Sequence, residues 1–503
     1  MSAENLNRRH RLFKNSLYGL FSWLFPVVPT IIATPIIVKG LGSELYGLYV
    51  VISGFTSYFF TAGIGKAAAK YVAEYRASGE NKKISDVISS TVILSISLGL
   101  CGAAGIIILS SAIVSDVLQI QPELRADAVI ALYLACGIVL AGTLSQIFQF
   151  VLQGLHRFDR FLLLTNISSL LLSVGSVVAV ILGYGVLAVL AVTLGVTVIT
   201  GILSFWMAKI LLPEFRFKIH VKGEAWRLVW RYAASIIAYN LCSNLLFLFE
   251  RVWIVRKFGA AALTYYAIPM TLGMYIQMFV GSLVLALFPV VNELLAQKEK
   301  LVTLYQKSSK LILSLVVFAV VSAVVCGRLF LGLWLSDEFV NLSYWLLVIH
   351  VFTFAMVAMT TIAWQVAESF RFAAVNAVAT LIWMSISIPL MVLLSDRYQT
   401  QGVALARFLG VLVFIPLIIY IEKRFLAGVY WRFWGSILLR IICSALLAYL
   451  AESIIVAEFQ KGWLTFIIAV LTGCLVYAAG LMLTGLIEAD EKLLFRNAIL
   501  RYK

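Results

Sequence analysis

Three long apolar stretches of the sequence carry polar side chains at helical spacing. In the first, Gln146, Gln149 and Gln153 recur at i, i+3 and i+7, and Arg157 follows at i+11. Residues at these intervals share one face of an α-helix. Amides donate and accept hydrogen bonds and a guanidinium group is a cation, so this set suits sugars and anions. The spacing therefore predicts a polar helix face that runs as far as Arg157.

Two later stretches carry comparable polar sets. In one they recur at i, i+4 and i+11, and in the other at i, i+4 and i+7 with an arginine beyond. Such side chains are costly inside a membrane and are candidates for function there. They either line a water-filled cavity or hold neighbouring helices together by hydrogen bonds, and both interpretations stay open. The residues are Asn240, Asn244 and Arg251 in one stretch, and Thr361, Gln365, Glu368 and Arg371 in the other.

Charged residues within the apolar stretches form a second group of candidates. Glu250, Arg251 and Arg407 lie several residues inside the ends of their stretches. Glu250 is the candidate acid for coupling to an ion, and the two arginines are candidates for binding an anionic substrate. Glu250 and Arg407 are expected either to pair with each other or to snorkel to the membrane surface, and both interpretations stay open. Lys66 and Lys70 share a helix face and either anchor the chain at the membrane or make the first contact with a phosphate.

The composition indicates the class of protein. Of the 503 residues, 62% are hydrophobic and 13% are charged, whereas soluble domains are about half apolar and a quarter charged. Apolar runs of ~20 residues without two-residue alternation indicate a polytopic membrane protein built of α-helices. The net charge of +15 fits basic loops retained in the cytosol and requires no nucleic acid. The six cysteines lie in apolar runs, none at CxxC spacing, and are predicted to be free thiols.

The apolar runs predict about fourteen transmembrane helices. With the N-terminus placed in the cytosol, most of the 39 lysines and arginines fall in cytosolic segments, as the positive-inside rule requires. We therefore expect both termini in the cytosol. The predicted spans are 16–38, 45–65, 86–114, 129–153, 161–182, 186–210, 232–255, 263–291, 310–334, 343–367, 373–395, 401–421, 434–457 and 462–486.

An internal repeat organises these spans. The segment 37–49, with Gly42, resembles the segment 254–266, with Gly259. We expect this repeated turn to be architectural. Since six spans separate the copies, both enter the membrane in the same sense, which predicts two six-helix lobes related by a parallel pseudo-two-fold axis. The predicted divisions are an N-terminal lobe at 1–212, a cytosolic linker at 213–231, a C-terminal lobe at 232–424, and two additional spans with a cytosolic tail at 425–503.

Enzyme motifs are absent from the sequence. It contains no GxxxxGK[ST] loop, no HExxH and no GxSxG, and its four histidines are scattered. All predicted loops are short, so no extramembrane domain is predicted to hold a catalytic centre or an ATPase. The sequence therefore predicts a chain that is not an enzyme and that uses no cofactor and no metal.

The combined pattern resembles a known family. Its features are the fourteen spans, the six-plus-six repeat, an LG-x-x-x-YG-x-Y turn after a proline-bearing first span, and the basic segment Gly-Ile-Gly-Lys-Ala-Ala-Ala-Lys-Tyr-Val at 63–72. These features are similar to the polysaccharide transporters of the multidrug/oligosaccharidyl-lipid/polysaccharide (MOP) superfamily, and most similar to the Wzx-type O-antigen, or lipid-linked oligosaccharide, flippases. The resemblance covers nearly the whole chain and implies a MATE/MOP-like fold.

The resemblance also implies a function and a location. The chain would move an undecaprenyl-diphosphate-linked oligosaccharide, an O-antigen or exopolysaccharide repeat unit, from the cytoplasmic to the periplasmic leaflet of the bacterial inner membrane by alternating access. Interior cations of the family are proposed to meet this anion, and Arg251 and Arg407 are the matching candidates. The implied partners are the lipid-linked substrate, the lipid bilayer, a polysaccharide polymerase with chain-length machinery, and a proton or sodium ion for coupling.

Three alternatives stay open at this point. A MATE-like drug/cation antiporter needs carboxylates deep in a cavity, and the predicted N-terminal lobe has none inside a span. A lipid II flippase or a teichoic-acid-type exporter belongs to the same superfamily, and gene essentiality would identify the former. A non-transporting scaffold of a polysaccharide assembly complex is the third.

Overall fold

Long α-helices make up the computed structural model, which describes residues 3–58, 64–218, 223–284, 287–370, 372–426 and 428–486. Side chains are described there except at 3–24, 57–58, 81–82, 224, 231–243, 287–289 and 293. These ranges contain fifteen α-helices and no strand, which confirms the all-α prediction. The helices are α1 (Ala3–Tyr58), α2 (Ile64–Ala77), α3 (Asn81–Ala112), α4 (Arg125–Gly154), α5 (Phe158–Ile181), α6 (Val186–Leu211), α7 (Gly223–Phe258), α8 (Ala260–Val284), α9 (Leu287–Leu294), α10 (Lys298–Trp334), α11 (Asp337–Ser369), α12 (Ala374–Val411), α13 (Phe414–Phe425), α14 (Trp431–Glu458) and α15 (Trp463–Leu483).

Eleven helical segments within the described residues are long and apolar enough to cross a membrane. They expose large apolar side chains on their outer faces; Ile108 is 79% exposed and Leu483 is 86% exposed. A helix satisfies its own backbone hydrogen bonds, so such a surface is stable in hydrocarbon and would aggregate in water. The chain is a multi-pass membrane protein.

The count of eleven differs from the predicted fourteen for local reasons. Two predicted pairs of spans are each covered by one helical segment: α1 covers the first pair with a break at Gly42, and Ala374–Phe425 covers the eleventh and twelfth. The predicted seventh span lies within α7, and part of it falls on residues 231–243, whose side chains are outside the described part. The number fourteen stays a prediction.

The repeated turn of the sequence is present at two equivalent glycines. Gly42 breaks α1 at φ 80°, and Gly259 separates α7 from α8 at φ 84°. Only glycine adopts this left-handed backbone without a steric cost. After the break at Gly42, a Cβ at Gly47 would lie 1.8 Å from the carbonyl oxygen of Ala260. The second half of α1 therefore packs backbone to backbone against the start of α8.

A second break interrupts α12 at Gln399, whose φ is 50° and ψ is −135°. Three residues later, a Cβ at Gly402 would lie 2.2 Å from the carbonyl oxygen of Leu394. The chain doubles back on itself too closely here for any side chain. The break falls between the predicted eleventh and twelfth spans.

Within the described residues, four helices end in a hydrogen-bonded motif with a left-handed residue. The second residue past the helix has a positive φ, and two backbone N–H groups at the turn reach back to carbonyls of the last helical turn, as in a Schellman motif. The left-handed residue is Gly79 after α2, Gly183 after α5 and Gly485 after α15, but it is His156 after α4.

The helices group into two compact units. The first unit comprises Phe21–Ala267 and Met384–Val403, and the second comprises Met1–Leu20, Ile268–Trp383 and Ala404–Lys503. In the first unit, α7 and the start of α8 belong with the helices that precede them in the chain. The predicted lobe and linker boundaries stay predictions.

The segment after α6 folds back onto the first unit. The Phe215 ring lies in the apolar core formed by α2, α3, α4, α5 and α6. The backbone N–H of Lys218 donates to Ser89 Oγ at 3.0 Å, and its Nζ atom lies 2.5 Å from Asp86 Oδ1. Both partners are on α3. The first residues of the predicted linker are therefore fastened to the helices before them.

The core of the second unit includes a group of three packed helices, α10, α14 and α15. Leu313 of α10, Ile441 of α14 and Leu481 of α15 meet in one apolar cluster. The Tyr477 hydroxyl of α15 donates to the Ser314 carbonyl of α10 at 2.9 Å. The two helices added after the predicted six-plus-six repeat are thus bound to the second unit by apolar packing and by hydrogen bonds.

Candidate functional site

Three helices of the first unit fix two adjacent charged residues of α7. Arg251 is half-buried, and its Nη1 atom donates to the Val50 carbonyl of α1 at 3.0 Å. One turn further along α1, Gly54 makes room for it: a Cβ there would lie 3.0 Å from the same Nη1 atom. Glu250 is fully buried and accepts a hydrogen bond from the Tyr266 hydroxyl of α8.

One tyrosine from each copy of the repeated turn lies near this charged pair. Tyr49 and Tyr266 occupy equivalent positions in the two copies of the repeat. The Tyr49 hydroxyl lies within electrostatic reach of Arg251, whereas the Tyr266 hydroxyl donates to Glu250. Each copy of the repeated turn therefore places a tyrosine near one candidate site residue.

The glutamine face of α4 is present as predicted. Gln146, Gln149 and Gln153 are half-buried and lie within one continuous helix. The Gln149 Nε2 atom donates to Ser145 Oγ at 3.0 Å, one turn back. Their amide groups form a partly accessible polar strip along a mostly apolar helix.

Arg157 does not continue this face, so that part of the prediction is wrong. α4 ends at Gly154 and His156 turns the chain at φ 59°, so the helical interval no longer applies. Arg157 precedes α5 and donates from Nε and Nη2 to Asp159 Oδ1 and Oδ2 at 2.9 and 2.8 Å. The hydrogen bond with Asp159, and then its charge, raise the pKa of Arg157 above its usual value. Its role as a substrate contact stays a prediction.

Lys66 and Lys70 share an exposed face of α2, as the spacing predicted. The Lys70 Nζ atom lies 4.9 Å from the centre of the Tyr71 ring. α2 packs closely on the end of α4, where a Cβ at Gly154 would lie 2.6 Å from the Ala69 carbonyl oxygen. The lysines and the glutamines therefore belong to neighbouring helices of the first unit. The anchoring and phosphate-binding interpretations both stay open.

Arg407 of the second unit is buried beside the aromatic ring of Trp383. It is fully buried, and its guanidinium carbon lies 5.5 Å from the centre of the Trp383 ring. The Trp383 indole N–H donates to the Arg407 carbonyl at 3.2 Å. His350 of α11, also fully buried, is within electrostatic reach of Arg407. The alternative that Arg407 snorkels to the surface is wrong, because its side chain lies inside the protein.

Of the polar residues on α11, Gln365 points its side-chain oxygen into the protein, whereas Glu368 is exposed. The Gln365 Oε1 atom is buried and has no hydrogen-bond partner among the described residues. Thr361, one turn before it, is half-buried. Glu368 is exposed and accepts from the Trp364 indole N–H at 2.9 Å. Gln365 is therefore the member of this set that presents an unused acceptor to the interior.

Three candidates remain: Asn240, Asn244 and Arg371. Asn244 is half-buried in α7. The side chain of Asn240 and the whole of Arg371 lie outside the described residues. Within the described part of the chain, no group of three or more His, Cys, Asp and Glu could hold a metal ion. The described cysteines, Cys101, Cys136, Cys326, Cys443 and Cys474, are free thiols.

Sequence reasoning missed three aromatic partners of the charged candidates. Tyr266 carried a usable signal, because the repeat aligns it with Tyr49. Trp383 and His350 carried none, since each is a single residue in an apolar run and meets Arg407 only through helix packing. The structure thus assembles one charged group from α1, α7 and α8 and another from α11 and α12, each within its own unit.

Comparison with known proteins assigns the family. The sequence profile of the polysaccharide biosynthesis protein family matches residues 12–295, which is more than half of the chain. The chain belongs to this family. A candidate O-antigen transporter of Shigella flexneri is 20% identical over 429 residues, covering 82% of this polysaccharide biosynthesis protein and 98% of the relative.

Solved structures share the fold of this polysaccharide biosynthesis protein. The lipid II flippase MurJ, in an inward closed conformation, matches with a TM-score of 0.71 at 13% identity, covering 94% of this chain and 98% of that one. An inward-facing multidrug resistance MATE family transporter of the MOP superfamily matches with a TM-score of 0.69 at 16% identity, covering 81% and 98%. These likenesses show that the chain shares the fold of MurJ and of the MATE transporter, which confirms the predicted fold class. All three relatives are named as transporters or a flippase, in agreement with the prediction that the chain is not an enzyme.

Proposed function

We propose that this polysaccharide biosynthesis protein is a flippase that moves an undecaprenyl-diphosphate-linked oligosaccharide, an O-antigen or exopolysaccharide repeat unit, from the cytoplasmic to the periplasmic leaflet. The observation that carries the proposal is the fully buried guanidinium of Arg407 within membrane-spanning helices. A positive charge held away from water attracts a diphosphate strongly, because the low dielectric of the interior strengthens the interaction. The family and the name of the Shigella flexneri relative support the substrate class.

In this proposal each group of candidate residues meets one part of the substrate. The arginines bind the diphosphate, the amides bind sugar hydroxyls, and the exposed lysines of α2 meet the phosphate first. Glu250 is the candidate for ion coupling. The residues proposed to bind the diphosphate are Arg251 and Arg407. Those proposed to bind sugar hydroxyls are Gln146, Gln149, Gln153, Asn240, Asn244 and Gln365. The lysines are Lys66 and Lys70, and Arg157 and Arg371 are further contacts that follow α4 and α11 in the sequence.

The membrane potential supplies a driving force for this transport. A charged diphosphate and many hydroxyl groups cannot cross hydrocarbon unaided. Alternating exposure of a polar cavity to the two sides removes that barrier while the lipid tail stays in the bilayer. Outward movement of two negative charges gains about 4.6 kcal/mol at 100 mV, at about 2.3 kcal/mol per charge. Coupling to a proton or a sodium ion adds to this driving force.

The proposed location is the bacterial inner membrane, with both termini in the cytosol. The excess of basic residues in the predicted cytosolic segments supports this orientation. A polysaccharide polymerase and its chain-length machinery are the proposed partners on the far side, because they consume the translocated unit.

Reconstitution into lipid vesicles tests the function. The purified protein is expected to accelerate the appearance of the host's lipid-linked oligosaccharide in the opposite leaflet, relative to protein-free vesicles. The same vesicles are then offered lipid II and, separately, an organic drug cation. Faster movement of lipid II alone would replace the proposal with lipid II transport, and uptake of the cation alone would replace it with drug antiport. No acceleration of any lipid-linked oligosaccharide would overturn it.

A further inference from the structure

Glu452 is a fully buried acid on α14, outside the candidate site. On α10, the Ser322 hydroxyl donates to its Oε1 atom at 2.8 Å, and the Cys326 thiol donates to its Oε2 atom at 3.6 Å. On α15, a Cβ at Gly473 would lie 2.1 Å from Oε1, so glycine leaves the space that the carboxyl group fills. Three helices therefore close around one carboxyl group.

No basic side chain of the described residues lies within ion-pair distance of Glu452. The titratable groups that face this region are Cys326 of α10 and Tyr477 of α15, and Tyr477 gives its hydrogen to the Ser314 carbonyl. Arg328 of α10 instead lies against an aromatic ring of α11. An ionised carboxylate would here be a buried charge without a countercharge, which is strongly unfavourable, and binding a proton removes that charge.

Glu422 of α13 shows the opposite arrangement and serves as a matched comparison. It is also fully buried, but it accepts from the Trp434 indole N–H at 2.7 Å, the Tyr430 backbone N–H at 3.2 Å and the Tyr305 hydroxyl at 2.9 Å. N–H groups only donate, so both carboxyl oxygens must accept. Two of its three donors are therefore groups that cannot accept a hydrogen bond in return.

Unlike the two N–H groups beside Glu422, the hydrogen-bond partners of Glu452 are a hydroxyl and a thiol. Hydroxyl and thiol groups both donate and accept hydrogen bonds. When Glu452 carries a proton, its O–H can donate to Ser322 Oγ, and Ser322 can turn its own hydrogen towards a carbonyl of the preceding helical turn, as serines in helices often do. Both charge states therefore keep hydrogen-bond partners, and only the ionised state pays the cost of buried charge.

We propose that Glu452 is a proton-binding site formed by α10, α14 and α15. Its carboxylate takes one proton from the aqueous phase and becomes a neutral carboxylic acid, holds that proton at neutral pH, and returns it to water at higher pH. The site is separate from Glu250, which lies in the first unit.

Infrared spectroscopy of the protein in lipid vesicles tests the proton directly. At neutral pH we expect a carbonyl band of a protonated carboxylic acid that disappears in Glu452→Gln and fades in the wild type as the pH is raised. Glu422→Gln is expected to leave that band unchanged. A band that Glu452→Gln does not alter would show that the residue is ionised and would overturn the site. A band that persists at high pH would show a fixed neutral group, which overturns proton exchange.

A role for this proton in coupling rests on the proposed flippase function. Glu452→Gln is a permanent mimic of the protonated form, so its translocation rate is expected to lose the response to a pH gradient that the wild type shows. A full response in the variant would overturn the coupling role. If the wild type itself moves no lipid-linked oligosaccharide, the flippase function fails, and the infrared result still decides the proton site.

Discussion

Arg251 and Arg407 are held in different ways, and this difference sets what each residue contributes. Arg251 is half-buried and donates to a backbone carbonyl of α1. Arg407 is fully buried beside the Trp383 ring. A side chain enclosed in this way is already desolvated and oriented, so an anion that reaches it gains more than at an exposed arginine.

Arg407→Ala is therefore expected to lower the translocation rate about tenfold or more, since a hydrogen bond to a charged group contributes about 1.5–3 kcal/mol. Arg251→Ala is expected to give a smaller loss. Arg397→Ala, at an exposed position, is the control and should transport like the wild type. The rates are measured in vesicles that contain equal amounts of folded protein. Unchanged transport by both test variants would remove these arginines from the site and leave the flippase proposal intact.

At the scale of helices, glycines decide how closely neighbours approach. Gly47 of α1 lies against the backbone of Ala260, whereas Gly105 of α3 has open space where its Cβ would be. The two positions have the same residue type in regular helix and differ only in what surrounds them. Alanine substitutions at these two positions therefore distinguish the effect of helix propensity on stability from the effect of helix packing.

Gly47→Ala is expected to lower the free energy of unfolding by more than 1 kcal/mol, because α1 and α8 must move apart. Gly105→Ala is expected to raise it by up to about 1 kcal/mol, because alanine favours helix over glycine. Thermal unfolding in detergent measures both. Similar shifts for the two variants would contradict the close contact.

His156 ends α4 in the left-handed conformation that glycine supplies after α2, α5 and α15. This backbone conformation costs a non-glycine residue about 1–2 kcal/mol. His156→Gly is thus expected to raise the unfolding temperature, and Gly183→Ala, at the equivalent position after α5, is expected to lower it. A lower unfolding temperature for His156→Gly would indicate that the histidine side chain makes a stabilising contact that outweighs the strain.

The same helix end shows what the sequence could and could not predict. Long apolar runs and repeated glycines correctly placed nearly every helix and the turns at Gly42 and Gly259. The spacing from Gln146 to Arg157 suggested one continuous face, because nothing in a Gly-Leu-His-Arg sequence excludes further helix. Likewise, the sequence places Glu250 inside an apolar stretch, but its burial and its partner Tyr266 depend on the packing of a separate helix.

The orientation of the whole molecule in the membrane is testable at two loops. Ser78, between α2 and α3, falls on the predicted cytosolic side, and Gln121, before α4, falls on the opposite side; both are exposed. In a background with the six native cysteines replaced by alanine, an impermeant thiol reagent added to intact cells should label Gln121→Cys and not Ser78→Cys. Both should react after permeabilisation. The reverse pattern would invert the proposed topology.

The attachment of the segment after α6 has a consequence for how the protein is made. Phe215 and Lys218 find their partners on helices that precede them in the chain, including Ser89 and Asp86 of α3. A nascent chain that has emerged only as far as Lys218 already contains these partners. The N-terminal half can therefore fasten its own end during synthesis, before the ribosome has delivered the later spans to the membrane insertion machinery.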